Sequence, residues 1–239
     1  MPDYDFDRSG TENLLAILRA ENVRAIFFLR GEAIDANPNG RALVQLIAKD
    51  RHVVGNHSYS HLYATREPVT AIIEDFARNH ELIHSITGEE VRVFRPPHGD
   101  WNAELTKRFL ASHALGNYQF PIFWTSLFRE WALKSKAELA NLDGRLTKFK
   151  ESIREGSGKI VLLHDTYVAG VLLASLIIKE AGRHGYEIGN PDDLVAAVAA
   201  ATGRFRKTPF RYYLTILMAR VRLRLTNQRA RHANYEMDQ

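Results

Sequence analysis

Two histidines four positions apart are the first residues of the sequence that could do chemistry. His57 and His61 lie in the segment Gly55 to His61, which reads G-N-H-S-Y-S-H and follows a short apolar run. If the chain turns helical after Gly55, both imidazoles lie on one face and can share a metal ion. Neutral imidazole suits zinc and other divalent transition metals. The alternative is that both histidines are polar loop residues with local hydrogen bonds.

The segment R-P-P-H-G, from Arg95 to Gly99, is the second candidate. Its two prolines restrict the backbone, and Gly99 permits the bend that follows them. Such a turn can direct a backbone N–H at a developing oxyanion and place a charged side chain beside it. The alternative is a purely structural corner between a strand and a loop.

The third candidate is His164, which follows the apolar run I-V-L-L and precedes Asp165. A histidine in that place can act as a general acid whose ring is oriented by a carboxylate. The alternative is a histidine at a strand end that is capped by its neighbour.

The elements that must position these residues alternate between short apolar strands and longer helices, which predicts an α/β fold with a mostly parallel sheet. The predicted strands are residues 25–29, 52–55, 91–94, 120–124, 159–163 and 186–188. The predicted helices are residues 11–21, 41–50, 68–86, 102–112, 139–154, 168–181 and 192–201. Each candidate cluster follows a predicted strand. In parallel α/β folds the loops at that edge converge and build the active site.

Composition limits the class of protein. The chain has 239 residues, no cysteine, 45% apolar residues and 25% charged residues. These values exclude a disordered chain, a collagen-like repeat and a disulfide-stapled small protein. No apolar run reaches the roughly 18 residues of a membrane span. Residues 1–10 are acidic and lack an apolar core, so no secretory signal is predicted. The location stays open, with a cytoplasmic or peripheral membrane location suggested by this chain as given.

A basic C-terminal segment stands apart from the rest of the chain. Nine basic residues and no acidic one lie between Arg204 and Tyr235, and subtracting them from the net charge of +4 leaves −5 on the remainder. We therefore predict a domain over residues 1–203 and a basic amphipathic helix and tail over residues 204–239. This helix could pack on the body of the protein, lie on an anionic membrane surface or contact nucleic acid. Nucleic acid is the least favoured partner, because the body contains no recognisable nucleic-acid module.

Taken together, the motifs G-N-H-S-Y-S-H, F-R-P-P-H-G-D-W-N and I-V-L-L-H-D closely resemble those of the polysaccharide deacetylases, the NodB-homology proteins of carbohydrate esterase family 4. The resemblance covers about residues 11–201. It implies a distorted or incomplete (β/α) barrel, to which the C-terminal basic helix is added. It also implies metal-dependent hydrolysis of N-acetyl or O-acetyl groups on a carbohydrate polymer, a reaction at carbon–nitrogen (non-peptide) bonds in the first case. The implied partner is an acetylated glycan.

The resemblance assigns roles residue by residue. His57 and His61 match the metal ligands, with zinc expected first and cobalt, nickel or manganese as alternatives. Arg95 matches the arginine that supports the catalytic base, and His164 matches the general acid. His98 stands where the family usually has an aromatic residue whose backbone N–H contributes to the oxyanion hole. Leu162 matches the leucine of the acetate pocket. A tryptophan beside the acid is also typical, but neither Trp124 nor Trp131 has a clear local match.

One family motif is not recognised. The family has an F-D-D-G-type motif whose aspartates supply the general base and the third metal ligand. The first ten residues of this chain contain Asp3, Asp5 and Asp7 without an apolar strand to carry them. Three explanations are open: the sequence starts downstream of that strand, one of these aspartates substitutes, or the protein binds a carbohydrate or a partner without turnover.

Overall fold

The computed structural model of the chain describes residues 9–133, 139–154 and 158–206. Within them the chain divides into two compact units. The larger unit contains Leu15–Phe123 and Gly189–Thr202, and the smaller unit contains residues 9–14, 124–188 and 203–206 of the described ranges. Each unit has its own strand pair and its own hydrophobic core. No helix in the described ranges is both long and apolar enough to span a bilayer.

The fold belongs to the α/β class, as predicted. The helices are α1 Gly10–Ala20, α2 Gly31–Ala36, α3 Gly40–Lys49, α4 Val69–Thr87, α5 Ala103–Ala111, α6 Leu142–Arg154, α7 Val168–Arg183 and α8 Pro191–Arg206, with 3-10 turns at Pro97–Gly99 and Glu130–Ala132. The strands are β1 Ile26–Leu29, β2 Val53–Asn56, β3 Ser126–Leu127 and β4 Val161–Leu162. The sequence predicted every helix except the short α2. It predicted every strand except β3, which lies just beyond the predicted strand 120–124.

In the larger unit, β1 and β2 run parallel with Leu29 opposite Asn56. A bridge joins Asn56 in turn to Phe94, so three chain segments meet at this end of the pair. Helix α4 begins after Pro68, whose fixed φ suits a first turn, and ends at Gly88, which has a left-handed φ of 70°. The core beneath it contains tightly packed aromatic rings, including those of Phe76, Phe94, Trp101, Phe109 and Tyr118.

In the smaller unit, β3 and β4 form a parallel pair in which Leu127 lies opposite Leu162. Helices α6 and α7 pack around a separate core that includes Phe128, Phe149 and Leu173. His164 lies two residues after the end of β4, so this strand end positions one of the three predicted clusters.

Three strand predictions differ from the structure. Residues 120–124 form no ladder, because Pro121 has no N–H and Ile122 alone donates to the Phe94 carbonyl. Residues 186–188 are irregular, since the Tyr186 N–H donates back to Ala181 and closes the end of α7. The predicted strand 91–94 is reduced to the single bridge at Phe94, directly before Arg95-Pro96-Pro97.

The boundary predicted at residue 203 falls inside α8, which continues to Arg206. The remainder of the predicted basic helix and tail lies outside the described residues. The division into residues 1–203 and 204–239, and the membrane contact assigned to the tail, therefore stay predictions.

Candidate active-site residues

The helical turn after Gly55 that was expected to bring His57 and His61 together is not present. Strand β2 continues through Asn56, and no helix follows it before α4. Instead, Ser58 and His61 both have positive φ angles, of 62° and 61°. These two left-handed bends fold the loop back on itself, and the two rings still lie 5.0 Å apart at 72°. A tight loop, rather than a helical turn, brings the pair together.

Helices on either side hold this loop. The first N–H groups of α2, at Gly31 and Glu32, donate to the carbonyls of Ser58 and Tyr59. The Asp75 carboxylate on α4 accepts from the Tyr59 and Ser60 N–H groups at 3.0–3.1 Å. Free backbone groups at a helix N-terminus and a carboxylate are both strong partners for a loop backbone. The loop between the histidines is therefore tied down at four backbone positions.

Asn56 anchors the start of the same loop. Its side chain is 0% exposed. Its amide donates to the Phe76 carbonyl and the Tyr118 hydroxyl, both at 2.9 Å, and its oxygen accepts from the Ser58 N–H and from Asn79. All four hydrogen-bonding positions of the amide are used, which holds the residue before His57 in one orientation. The sequence analysis missed Asn56 and Asn79, since a lone asparagine carries no periodic signal.

The His57 ring is held in the tautomer that suits a metal ligand. Its Nδ1 lies 2.7 Å from the Arg95 carbonyl oxygen, which can only accept. Nδ1 therefore carries a proton, and in the neutral ring Nε2 carries the lone pair, the usual arrangement of a metal-bound histidine. Within the described ranges, no group of three or more His, Asp or Glu side chains is placed to hold a metal ion. The residues present thus fit part of a metal site, and Asp3, Asp5 and Asp7 lie outside the described residues.

Arg95 is a buried cation beside this pair. The residue is 7% exposed, its Nε donates to the Ile122 carbonyl at 2.9 Å, and its guanidinium lies 4.3 Å from the centre of the Phe28 ring. Desolvation by burial lowers the pKa of Arg95 to about 10. The side chain therefore remains charged at neutral pH. A buried guanidinium of this kind is suited to orient a carboxylate.

His98 is exposed and takes part in an array of rings. It has a φ of 59° inside the turn Pro97–Gly99. Its ring stacks on Tyr63 at 3.8 Å and meets the His61 ring edge-on at 4.4 Å. Asp100 ties the two segments together by accepting from the N–H and hydroxyl of Thr65. Burial would raise the pKa of Asp100, but these hydrogen bonds outweigh it and hold the pKa below its ordinary value.

In the smaller unit, a buried carboxylate holds His164. Glu130 is 0% exposed, and its Oε1 accepts from the His164 N–H at 2.8 Å and faces His164 Nδ1 at 2.7 Å. Its other oxygen, Oε2, has no hydrogen-bond partner among the described residues. Trp131 packs edge-on against the same imidazole at 4.9 Å. The sequence predicted that a carboxylate would orient His164, and the structure identifies Glu130 in that position.

The neighbouring Asp165 does not orient His164. Its carboxylate accepts from the Thr11 hydroxyl at 2.6 Å and so ties the start of α1 to the end of β4. The expected alternative, in which Asp165 caps His164, is not what the structure shows. Leu162 is half-buried in β4, two residues before His164.

The predicted site residues thus form two groups. Four of them lie together in the larger unit: His57, His61, Arg95 and His98. Leu162 and His164 lie together in the smaller unit. That both groups serve one active site stays a prediction from the resemblance.

Comparison with known proteins relates the N-terminal part of the chain to one family. The polysaccharide deacetylase family model matches residues 3–115, which include His57, His61, Arg95 and His98. The matched part of the chain is similar to the polysaccharide deacetylase family. The match also starts early enough to include the three aspartates before residue 8.

The similar proteins include a named deacetylase and a pseudoenzyme. Over 195 residues, 25% are identical to the peptidoglycan-N-acetylmuramic acid deacetylase PdaA of Bacillus subtilis, covering 81% of this chain and 69% of that protein. Among solved structures, a CE4 family pseudoenzyme from Bacillus anthracis is 26% identical with a TM-score of 0.65, covering 78% of this chain and 61% of that one. A mutant of a CE4 family pseudoenzyme with restored enzymatic activity is 28% identical at the same TM-score. This chain spans less than two thirds of the length of these solved chains.

Proposed function

We propose that this protein removes N-acetyl groups from a peptidoglycan-type glycan with the help of a divalent metal ion, zinc first among the candidates. Carbohydrate deacetylation is supported by the match to the polysaccharide deacetylase model, and the glycan is suggested by similar proteins that are named as peptidoglycan deacetylases. The observation that carries the proposal is that two imidazole rings are oriented at Nδ1, His57 by the Arg95 carbonyl and His164 by the Glu130 carboxylate.

His57 and His61 would hold the metal through ring nitrogens, with His57 offering Nε2. A metal bound there supplies Lewis acidity that polarises the acetyl carbonyl. The third ligand comes from outside the described residues in this proposal, and the family match from residue 3 supports Asp3, Asp5 or Asp7 as its source. One of the same aspartates would act as general base, beside the charged Arg95.

His164 would protonate the departing nitrogen. Because Glu130 accepts from Nδ1, the opposite ring nitrogen, Nε2, is the atom left to exchange a proton. Trp131 packs against the ring and limits its rotation. The backbone N–H of His98 and the side chain of Leu162 are proposed to contact the acetyl group, as the resemblance implies. The predicted incomplete (β/α) barrel is supported by the fold likeness to CE4 proteins.

A second candidate function is binding of a glycan or partner without turnover. Two observations favour it: a pseudoenzyme is among the similar structures, and the described residues supply two histidine ligands without a third. Both functions predict glycan binding, and only the first predicts acetate release.

The proposal is tested by acetate release and by metal content together. We expect the full chain to release acetate from acetylated chito-oligosaccharides or peptidoglycan and to retain about one tightly bound metal per chain. The double substitution His57→Ala with His61→Ala should remove that metal while the circular dichroism spectrum is unchanged. His113→Ala, which replaces an exposed histidine elsewhere in the larger unit, is the matched control. Metal content that is the same in the double variant would refute the assigned ligands, and bound glycan without acetate release would favour the second function.

A further inference from the structure

A second histidine pair with the same spacing lies on helix α4, outside the residues assigned to the reaction. His80 and His84 are four positions apart within Val69–Thr87, a regular helix of 19 residues. Their rings are 6.2 Å apart and parallel within 1°. Here the helical spacing is real, so both side chains project from the same face.

Both rings are held by hydrogen bonds at Nδ1. His84 Nδ1 lies 3.0 Å from the Glu89 carbonyl oxygen, which requires a proton on Nδ1 and leaves the lone pair on Nε2. His80 Nδ1 lies 3.0 Å from the Tyr118 hydroxyl. The Tyr118 oxygen also accepts from the Asn56 amide, and either the Tyr118 hydroxyl or the His80 Nδ1 can be the donor between them. A backbone carbonyl behind Nδ1, as at His84, is typical of histidines that ligate metals through Nε2.

From this arrangement we infer that His80 and His84 form a second site for a divalent transition metal, of the class Cu²⁺, Ni²⁺ or Zn²⁺. Imidazole nitrogens favour these ions over Mg²⁺ or Ca²⁺. Tetrahedral binding at about 2.0–2.1 Å needs the two nitrogens roughly 3.3 Å apart, so the rings must tilt towards each other. The His84 side chain is 42% exposed and has room to do so. Water completes the coordination, so this site is weaker than one with three protein ligands.

The experiment is a titration of metal-free full-length protein with NiCl2 and with ZnCl2, followed by calorimetry. We expect two binding events in the parent. His84→Ala should weaken the lower-affinity event at least ~10-fold and leave the other unchanged. His80→Asn, which keeps a polar group beside Tyr118, should do the same. His113→Ala is the control and should bind like the parent. In the parent, Ni²⁺ should also broaden the NMR signals of the His80 and His84 rings.

The outcomes separate this site from the one proposed for catalysis. If His57→Ala with His61→Ala leaves both events intact while His84→Ala removes one, the α4 site stands and the catalytic metal assignment fails. If His84→Ala and His80→Asn both bind metal like the parent, or if His113→Ala has the same effect as they do, the α4 site is refuted.

Discussion

A single methyl group added at Gly170 should move the proposed general acid. Gly170 lies in the first turn of α7, and a Cβ built there would overlap the backbone carbonyl oxygen of His164 and lie 3.0 Å from its carbonyl carbon. Real Cβ atoms keep at least 3.0 Å from their neighbours, so the oxygen would have to retreat by about an ångström. The backbone that retreats is the one whose N–H donates to the buried Glu130.

The magnitude follows from two opposing effects of Gly170→Ala. Alanine favours a helix over glycine by about 1 kcal/mol. Forced overpacking of a buried contact costs about 1–3 kcal/mol, and the strained His164–Glu130 hydrogen bonds add to this. We therefore expect a net loss of stability of about 1–2 kcal/mol and a fall in deacetylation rate of roughly 10²-fold, since a misplacement of about 1 Å has that effect on catalysis.

The matched control is Gly182→Ala near the other end of the same helix, where a Cβ would meet nothing within 4 Å. This variant should gain up to about 1 kcal/mol from helix propensity and keep its activity. Urea unfolding followed by circular dichroism and acetate release measure the two effects. If Gly170→Ala is as stable and as active as Gly182→Ala, the proposed coupling between the α7 packing and His164 is wrong.

Two further perturbations test the buried polar groups. Asn56→Asp loses both amide donors to Phe76 and Tyr118 and buries a charge, so urea unfolding should show a loss of about 3–5 kcal/mol, whereas the exposed Asn117→Asp should change little. The hydrogen bond from Lys150 lowers the pKa of Glu180 below its ordinary value in spite of burial. Stability from this pair is therefore present above the ordinary glutamate pKa of about 4.3 and is lost as the pH falls through the lower folded value. Thermal melts should show this acid sensitivity, and Glu180→Gln should reduce it; an unchanged acid profile in that variant would contradict the assignment.

Most helix positions were predictable because they depend on local signals. The bounds of α4 follow from Pro68 at its start and Gly88 at its end, and α5 begins where the Asn102 side chain accepts from the Leu105 N–H. Strands were predicted less well. Residues 120–124 contain an apolar run that suggests a strand, but whether they pair depends on neighbours distant in the sequence and on the donor that Pro121 lacks.

The candidate site shows the same division. The order of the three motifs was sufficient to recognise the resemblance to the polysaccharide deacetylases and to select His57, His61, Arg95 and His164 as candidates. The sequence did not predict which carboxylate orients His164. Glu130 is 34 residues away in the chain and reaches the imidazole only after β4 and the turn Glu130–Ala132 pack together.

The sequence by itself therefore determined the fold class, the family resemblance and the residues that could do chemistry, because each of these depends on residue type and local order. Only the tertiary structure decided how the side chains of those residues are oriented and hydrogen-bonded. It replaced the expected helical turn between His57 and His61 with two left-handed bends, set the His57 tautomer through the Arg95 carbonyl, and placed Glu130 behind His164. Hydrogen bonds between groups far apart in the chain form only when packing brings them within about 3 Å, and no local pattern encodes that distance.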